Sequence, residues 1–226
     1  NGHACVLSDG QVFCWGSNEA GQLGVSNEKD AFNAFKTKFA NQPVAVDTSG
    51  VLKGKKITDI EASNQSTCVV ASNEIFCWGV LHASFVDPKK PNETTVGTPQ
   101  ELRAKGELAG KSIMKVVMPP QLYSSSLICA IADNRAYCWG YDGITGSLSK
   151  DRSVPNLVGD KFLAARPVSD LAISNSHSCL ISMGEVFCWG QNSSGQLGIG
   201  TITYQQMPVL MDGGDVLKNR EVFALA

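Results

Sequence analysis

Residues 5–16 read CVLSDGQVFCWG, and close versions return at residues 68–79 (CVVASNEIFCWG), 129–140 (CAIADNRAYCWG) and 179–190 (CLISMGEVFCWG). All eight cysteines of the chain fall in these four C-x8-C frames. In each frame two short runs rich in Val, Ile, Phe and Tyr flank a dipeptide suited to a primed turn: Asp9-Gly10, Ser72-Asn73, Asp133-Asn134 and Met183-Gly184. Each stretch therefore reads as a β-hairpin. With Asp9 and Gly10 as the loop, Ser8 faces Gln11, Leu7 faces Val12, Val6 faces Phe13 and Cys5 faces Cys14. Alternation along the ladder makes the two cysteines a non-hydrogen-bonded pair, where Cβ atoms approach most closely. A disulfide needs Cβ atoms about 3.8 Å apart, so this position bridges with least distortion. The same register pairs Cys68 with Cys77, Cys129 with Cys138 and Cys179 with Cys188.

The Trp-Gly steps at Trp15, Trp78, Trp139 and Trp189 recur at intervals typical of propellers and solenoids. Between copies run a loop, a proline-led strand and an apolar strand, as in PVAVDTSGVLKGKKITDIEA from Pro43. This predicts an all-β chain of four repeats, residues 1–62, 63–118, 119–173 and 174–226, each supplying about four antiparallel strands. Both faces of the first hairpin are apolar: Cys5, Leu7, Val12 and Cys14 on one, Val6, Phe13 and Trp15 on the other. An isolated sheet cannot hide both, so neighbouring copies must stack as propeller blades. The tryptophans fit such blade-to-blade packing better than a sugar-stacking ladder.

The final residues, REVFALA from Arg220, match Ile57 to Ala62 and Val168 to Ile173, the strands that precede a hairpin. The two ends of the chain thus read as parts of one blade. A small closed ring would ladder Val222 to Leu225 against the first hairpin; an arc of a larger ring would not. The chain starts at Asn1 inside a repeat and is expected to be an excerpt of a longer protein.

Hydrophobic residues at 43% with 18% charged indicate a soluble core in one large β domain or two small ones. A net charge of −2 gives no case for nucleic acid, and Lys53, Lys55 and Lys56, the densest basic cluster, read as a solvated loop. No apolar run is long enough to insert in a membrane. Four local disulfides persist only in an oxidising compartment, so the chain is expected to be extracytoplasmic, secreted or at the cell surface. Zinc sites draw ligand pairs from shorter turns than these frames, so no metal and no cofactor are expected.

A search for catalytic groups finds none. No nucleophile elbow, phosphate loop or metal-binding helix occurs, and carboxylates such as Asp87, Glu93 and Asp151 are scattered in loops. His3 and His177 stand at matching positions before a first cysteine, which points to a repeated structural role; His82 lies alone in a divergent loop. The repeats depart from one another in that loop and others: residues 30–42, 80–97 and 141–151. Loops on a rigid scaffold are where binding resides. Phe32, Phe35, Phe39, His82, Phe85, Tyr141 and Tyr204 are therefore the candidates for contact with a protein or surface ligand. Three N-x-S/T sequons begin at Asn64, Asn92 and Asn192.

The hairpins, the Trp-Gly steps and a matching loop, SNEAGQLG from Ser17 and QNSSGQLG from Gln191, resemble the regulator of chromosome condensation repeat family. The resemblance covers all four repeats and implies a β-propeller, commonly of seven blades. The cysteine-paired version is similar to secreted and surface propellers, among them bacterial exported proteins and ectodomains of crinkly-type plant receptor kinases. It implies a non-catalytic binding module; the alternatives are an architectural segment of a longer surface protein and a secreted enzyme inhibitor. The founding nuclear member's exchange activity and chromatin binding are not implied, since no motif for either appears.

Overall fold

A computed structural model describes residues 2–26, 28, 35–81, 95–102, 106–120, 127–140, 144–149, 151, 154–159, 163, 165–217 and 220–225. In chain order its strands are β1 (His3–Ser8), β2 (Gln11–Ser17), β3 (Phe39–Ala45), β4 (Ile57–Ser63), β5 (Ser66–Ala71), β6 (Glu74–Val80), β7 (Thr95–Glu101), β8 (Ile113–Val117), β9 (Ile128–Ala132), β10 (Arg135–Trp139), β11 (Asn156–Leu157), β12 (Val168–Ile173), β13 (His177–Ser182), β14 (Glu185–Gly190) and β15 (Gln205–Leu210), with a 3-10 turn at Gly106–Leu108. The architecture is all-β.

Two compact units divide the chain: Asn1–Ala104 with Ile113–Tyr123, and Lys105–Ser112 with Ser124–Ala226. The first holds a three-stranded sheet of order β1-β2-β3, a four-stranded sheet of order β4-β5-β6-β7, and β8. The second holds the antiparallel strands β9, β10 and β11 and a four-stranded sheet of order β12-β13-β14-β15.

The hairpins form in the expected register, with Cys5 opposite Cys14, Cys68 opposite Cys77, Cys129 opposite Cys138 and Cys179 opposite Cys188. Each pair is bridged, at a Cα–Cα distance of 4.1 Å. The turns are of the primed kind: Asp9 and Gly10 have φ of 51° and 75°, Asp133 and Asn134 of 48° and 57°. Even Met183, a poor left-handed residue, takes φ 55°.

The sequence repeat does not coincide with the blade. The apolar strand β4 pairs with the following hairpin, Ile60 opposite Val69, and β12 does the same with Leu171 opposite Leu180. A blade is thus an apolar strand, a hairpin and a proline-led strand. Each sequence repeat spans two blades.

After the second cysteine of β2, β6 and β14 the register with the outer strand shifts by two residues, so that the single Trp stands against three residues of β3, β7 or β15. The glycine that follows has a positive φ (93° at Gly79), and a Cβ there would collide with the Gln65 carbonyl that leads into the hairpin. The bulge thus lies on the outer strand, opposite a Trp-Gly step that keeps its register with the hairpin, and the glycine lets the chain entering the hairpin pass close behind it. Trp78, Trp139 and Trp189 are fully buried, while Trp15 is only half-buried.

Residues 220–225 join no strand, and β1 is the edge of its sheet. Residues 222–225 lie against the fourth hairpin and the strand β12 before it: the Val222 N–H donates to the Gly184 carbonyl at 3.2 Å and the Leu225 N–H to the Asp170 Oδ2 at 3.1 Å. This repeats the contact of β8 with β4, where the Val116 N–H donates to the Asp59 Oδ2 at 2.8 Å. The terminal segment thus takes the place of an apolar strand beside the preceding blade, as its sequence match to Ile57–Ala62 implies.

Candidate functional site

The blade junctions decide which loop residues remain exposed to a partner. In the first unit the loop SNEAGQLG is folded by one buried amide. The Asn18 Oδ1 accepts from the Leu23 N–H at 2.9 Å, and its Nδ2 donates to the Thr37 carbonyl at 2.7 Å. The loop then presents the Gln22 carbonyl, which accepts from the Trp78 Nε1 and the Thr67 hydroxyl, both at 2.9 Å. Gly24 lies directly under the Trp78 indole, with no room for a Cβ. In the second unit the Trp189 Nε1 donates to the Ile144 carbonyl at 2.9 Å, and Gly146 lies under that indole. Trp78 and Trp189 are junction residues, as expected.

Asn192 repeats the role of Asn18: its Oδ1 accepts from the Leu197 N–H at 3.0 Å and its Nδ2 donates to the Thr201 carbonyl at 2.7 Å. It is 1% exposed, so the sequon at Asn192 offers no amide to a glycan in the folded chain. The matching asparagines of SNEAGQLG and QNSSGQLG are the sequence signal for this loop clamp.

The matching histidines hold different partners. The His3 Nε2 lies 2.7 Å from the Thr67 hydroxyl, while the His177 Nδ1 lies 2.7 Å from the Ser174 hydroxyl. Burial lowers both imidazoles from their ordinary value. The role is structural but not repeated.

Among the candidate contact residues, Phe32, His82, Phe85 and Tyr141 lie outside the described residues. Phe35 is a correction: it is 3% exposed, and its ring fills the space that side chains at Gly21 and Gly97 would occupy. Two glycines facing each other across a loop leave a gap that an aromatic ring closes. Phe39 and Tyr204 are 70% and 47% exposed. Register makes these two equivalent: Gly16 faces Ala40 and Gly190 faces Gln205, so each aromatic stands one residue before the matching position of an outer strand.

One pair of carboxylates escaped the sequence reading. Asp59 and Glu61 are two residues apart on β4 and so share a face. Burial, reinforced by the Asp59 carboxylate, pushes Glu61 up to about 7 against the pull of Lys115 and a Met118 backbone hydrogen bond. Burial also raises Asp59, opposed by the Val116 and Ile60 N–H groups and by Lys115. The pair can take up a proton near neutrality. Among the described residues no cluster of three or more His, Cys, Asp or Glu is arranged to hold a metal.

A family model, the regulator of chromosome condensation (RCC1) repeat, matches residues 9–70 and 183–222. Over these two stretches the chain matches the RCC1 repeat, and its hairpins are similar to those of RCC1-repeat proteins. It is 25% identical over 219 residues to the human E3 ubiquitin-protein ligase HERC2, covering 92% of this chain and 4% of that protein. To the human probable ligase HERC4 it is 26% identical over 211 residues, covering 91% and 18%. The chain therefore spans a small part of these relatives. Human WBSCR16 superposes with a TM-score of 0.70 at 21% identity, covering 92% of this chain and 50% of that one. Prp20p of Saccharomyces cerevisiae does so with a TM-score of 0.64 at 18% identity, covering 94% and 49%. The repeats have the fold of RCC1 propeller blades, and no helix among the described residues is long and apolar enough to cross a membrane.

Proposed function

We propose that this chain is a non-catalytic, protein-binding propeller segment of an extracytoplasmic protein, and that Phe39 and Tyr204 belong to its contact surface. The observation that carries this reading is their equivalence. Two repeats, one in each compact unit, set an exposed aromatic at one position of the blade, next to a loop whose interior is fixed by Asn18 or Asn192. Aromatic side chains on a rigid support are the usual anchors of protein interfaces. Prp20p, with the same blade fold, is described as binding Gsp1p and histones, and its complex with Kap60 has been solved. These partners belong to Prp20p; for this chain they support only a protein as the class of ligand. The four bridged cysteine pairs support an oxidising location.

A photo-crosslinking residue placed at Phe39 or at Tyr204, with one at Val51 as an exposed control, tests the contact surface. Incubated with the extracellular fraction of the source cells, the first two should each capture a discrete protein that the control does not. Purified, that protein should bind the F39A and Y204A variants more weakly. Equal capture at Val51, or unchanged affinity in both variants, would refute the assignment. Thiol alkylation of the protein before lysis tests the location separately: eight alkylated cysteines would place it in a reducing compartment.

A further inference from the structure

The strands β4 and β8 belong to different sheets, and no backbone ladder joins them. Side chains make the seam instead. Asp59, Glu61 and Ser63 are alternate residues of β4 and so share a face. The Asp59 Oδ2 accepts the Val116 N–H at 2.8 Å, the Glu61 carboxyl accepts the Met118 N–H, and the Ser63 hydroxyl donates to the Pro119 carbonyl at 2.8 Å. One backbone bond ends the row, from the Asn64 N–H to the Pro120 carbonyl at 3.2 Å. Pro119 and Pro120 have no N–H to offer, so that stretch is held only by its carbonyls.

Two carboxyl groups on one half-buried face cannot both ionise without cost. Few other charges face them. β8 brings Lys115, β5 brings none, and β1 brings only His3, whose Nε2 is held by Thr67 and whose imidazole burial keeps below its ordinary value. Lys115 sets one charge against two carboxylates. Burial, and then the Asp59 charge, hold the Glu61 proton up to about 7. The far end of the seam reaches a variable loop. The turn at residues 64–65 donates to Pro120 through Asn64 and accepts the Val80 N–H through the Gln65 carbonyl at 2.9 Å, where the segment 80–97 begins.

We propose that the β4–β8 seam is a pH-sensitive latch on the root of that loop. While Asp59 and Glu61 hold one proton between them, the row of four bonds is closed. When both are charged, repulsion drives the Glu61 side chain toward water and the Met118 N–H loses its acceptor. Pro119 and Pro120 then part from Ser63 and Asn64. The hairpin β5–β6 and its Cys68–Cys77 bridge stay intact. The closed form binds more protons than the open one between the ordinary and the raised value of Glu61, so opening increases with pH. β12 carries Asp170 and Ala172 at the corresponding positions, so its face has one carboxyl and no such latch.

Amide hydrogen exchange of the full chain, read by NMR at pH 6 and pH 8 and corrected for intrinsic rates, tests this. The Met118, Asn64 and Val80 amides should each lose about 10-fold in protection, the shift that one proton released at about 7 gives an opening equilibrium. Their exchange at pH 8 should be insensitive to low urea, as a local opening is. The Val69 and Phe76 amides, which the register places in a bonded pair of the hairpin, should exchange through urea-sensitive unfolding. Glu61→Gln keeps an acceptor for Met118 without the charge, and its seam amides should hold their protection at pH 8. Carbon-13 titration of the wild-type carboxyls needs no variant, and Glu61 should titrate at about 7. Three results would each overturn the latch: Glu61 titrating at its ordinary value, seam amides that open only with global unfolding, or a Glu61→Gln variant with the wild-type profile. Loss at Met118 and Asn64 without loss at Val80 would overturn its reach to the loop.

Discussion

The loop that meets Trp78 in the first unit ends Gln22-Leu23-Gly24; the segment that meets Trp189 in the second reads Ile144-Thr145-Gly146. Only the glycine is shared, yet both segments offer an indole the same carbonyl at the same 2.9 Å. The junction needs a carbonyl held at one place and a backbone without a Cβ two residues later. The side chains between are free to change, which is why the third repeat reads as divergent although its junction is intact.

The largest expected effect breaks this equivalence at its common point. Gly24→Val and Gly146→Val would each drive a branched side chain into a fully buried indole, at a φ (70° and 65°) that suits glycine. Each should cost about 3 kcal/mol or more, by overpacking and backbone strain together. Urea unfolding followed by tryptophan emission measures both. If Gly146→Val were nearly neutral, the two junctions would not be equivalents.

The next effect concerns the aspartates on the strands β4 and β12. Asp59 and Asp170 each accept a backbone N–H from the apolar segment of the next repeat, Val116 and Leu225. Asp59→Ala orphans an N–H in a buried strand and should cost about 1 to 3 kcal/mol. Asp170→Ala affects a terminal segment that joins no strand and should cost less. A larger loss at Asp170 would mean that residues 220–225 carry more of the fold than their lack of strand pairing suggests.

How far sequence revealed all this depends on the range of the interaction. Hairpin register, disulfide pairing and turn type follow from residues within twelve positions of each other, so local chemistry sufficed for them. The match of residues 220–225 to earlier apolar strands shows in their contacts with Gly184 and Asp170, although the segment joins no strand. The burial of Phe35 did not show, since its ring fills a gap made by Gly21 and Gly97, distant in the chain. Asp59 and Glu61 did not show, because the Val116 and Met118 backbone that meets them lies far along the chain. The exposure of Phe39 and Tyr204 was legible as aromatics in loops, but their equivalence needed the outer-strand register.

The third test uses the difference between β4 and β12, where Glu61 is matched by Ala172. The folded-state pKa of Glu61, about 7, stands above its ordinary 4.5. Between these values the folded chain holds more protons than the unfolded one, so stability falls as pH rises through that window and is greater on its acid side. The melting temperature should therefore decline from pH 5 to pH 8. Glu61→Gln keeps a neutral side chain and should flatten that decline. A slope that persists in the variant would assign it to other groups.

The smallest effect sharpens the comparison at the hairpin turns. Three of the four turns open on Asp or Ser, whose short polar side chains tolerate a left-handed backbone; the fourth opens on Met183, at φ 55° and 66% exposed. A left-handed conformation costs an ordinary L-residue about 1 to 2 kcal/mol, and Asn recovers part of that through local hydrogen bonding. Met183→Asn should therefore stabilise the chain by about 0.5 to 1 kcal/mol, with an unchanged denaturant slope because no core surface is altered. The reciprocal change, Asp9→Met, should cost a similar amount, since Asp9 has φ 51° in the same turn position. Opposite signs of like size would show that the four hairpins share one backbone and differ here only in how well a side chain suits it. If Met183→Asn instead destabilised the chain, the exposed methionine would be making a contact that its turn geometry does not reveal.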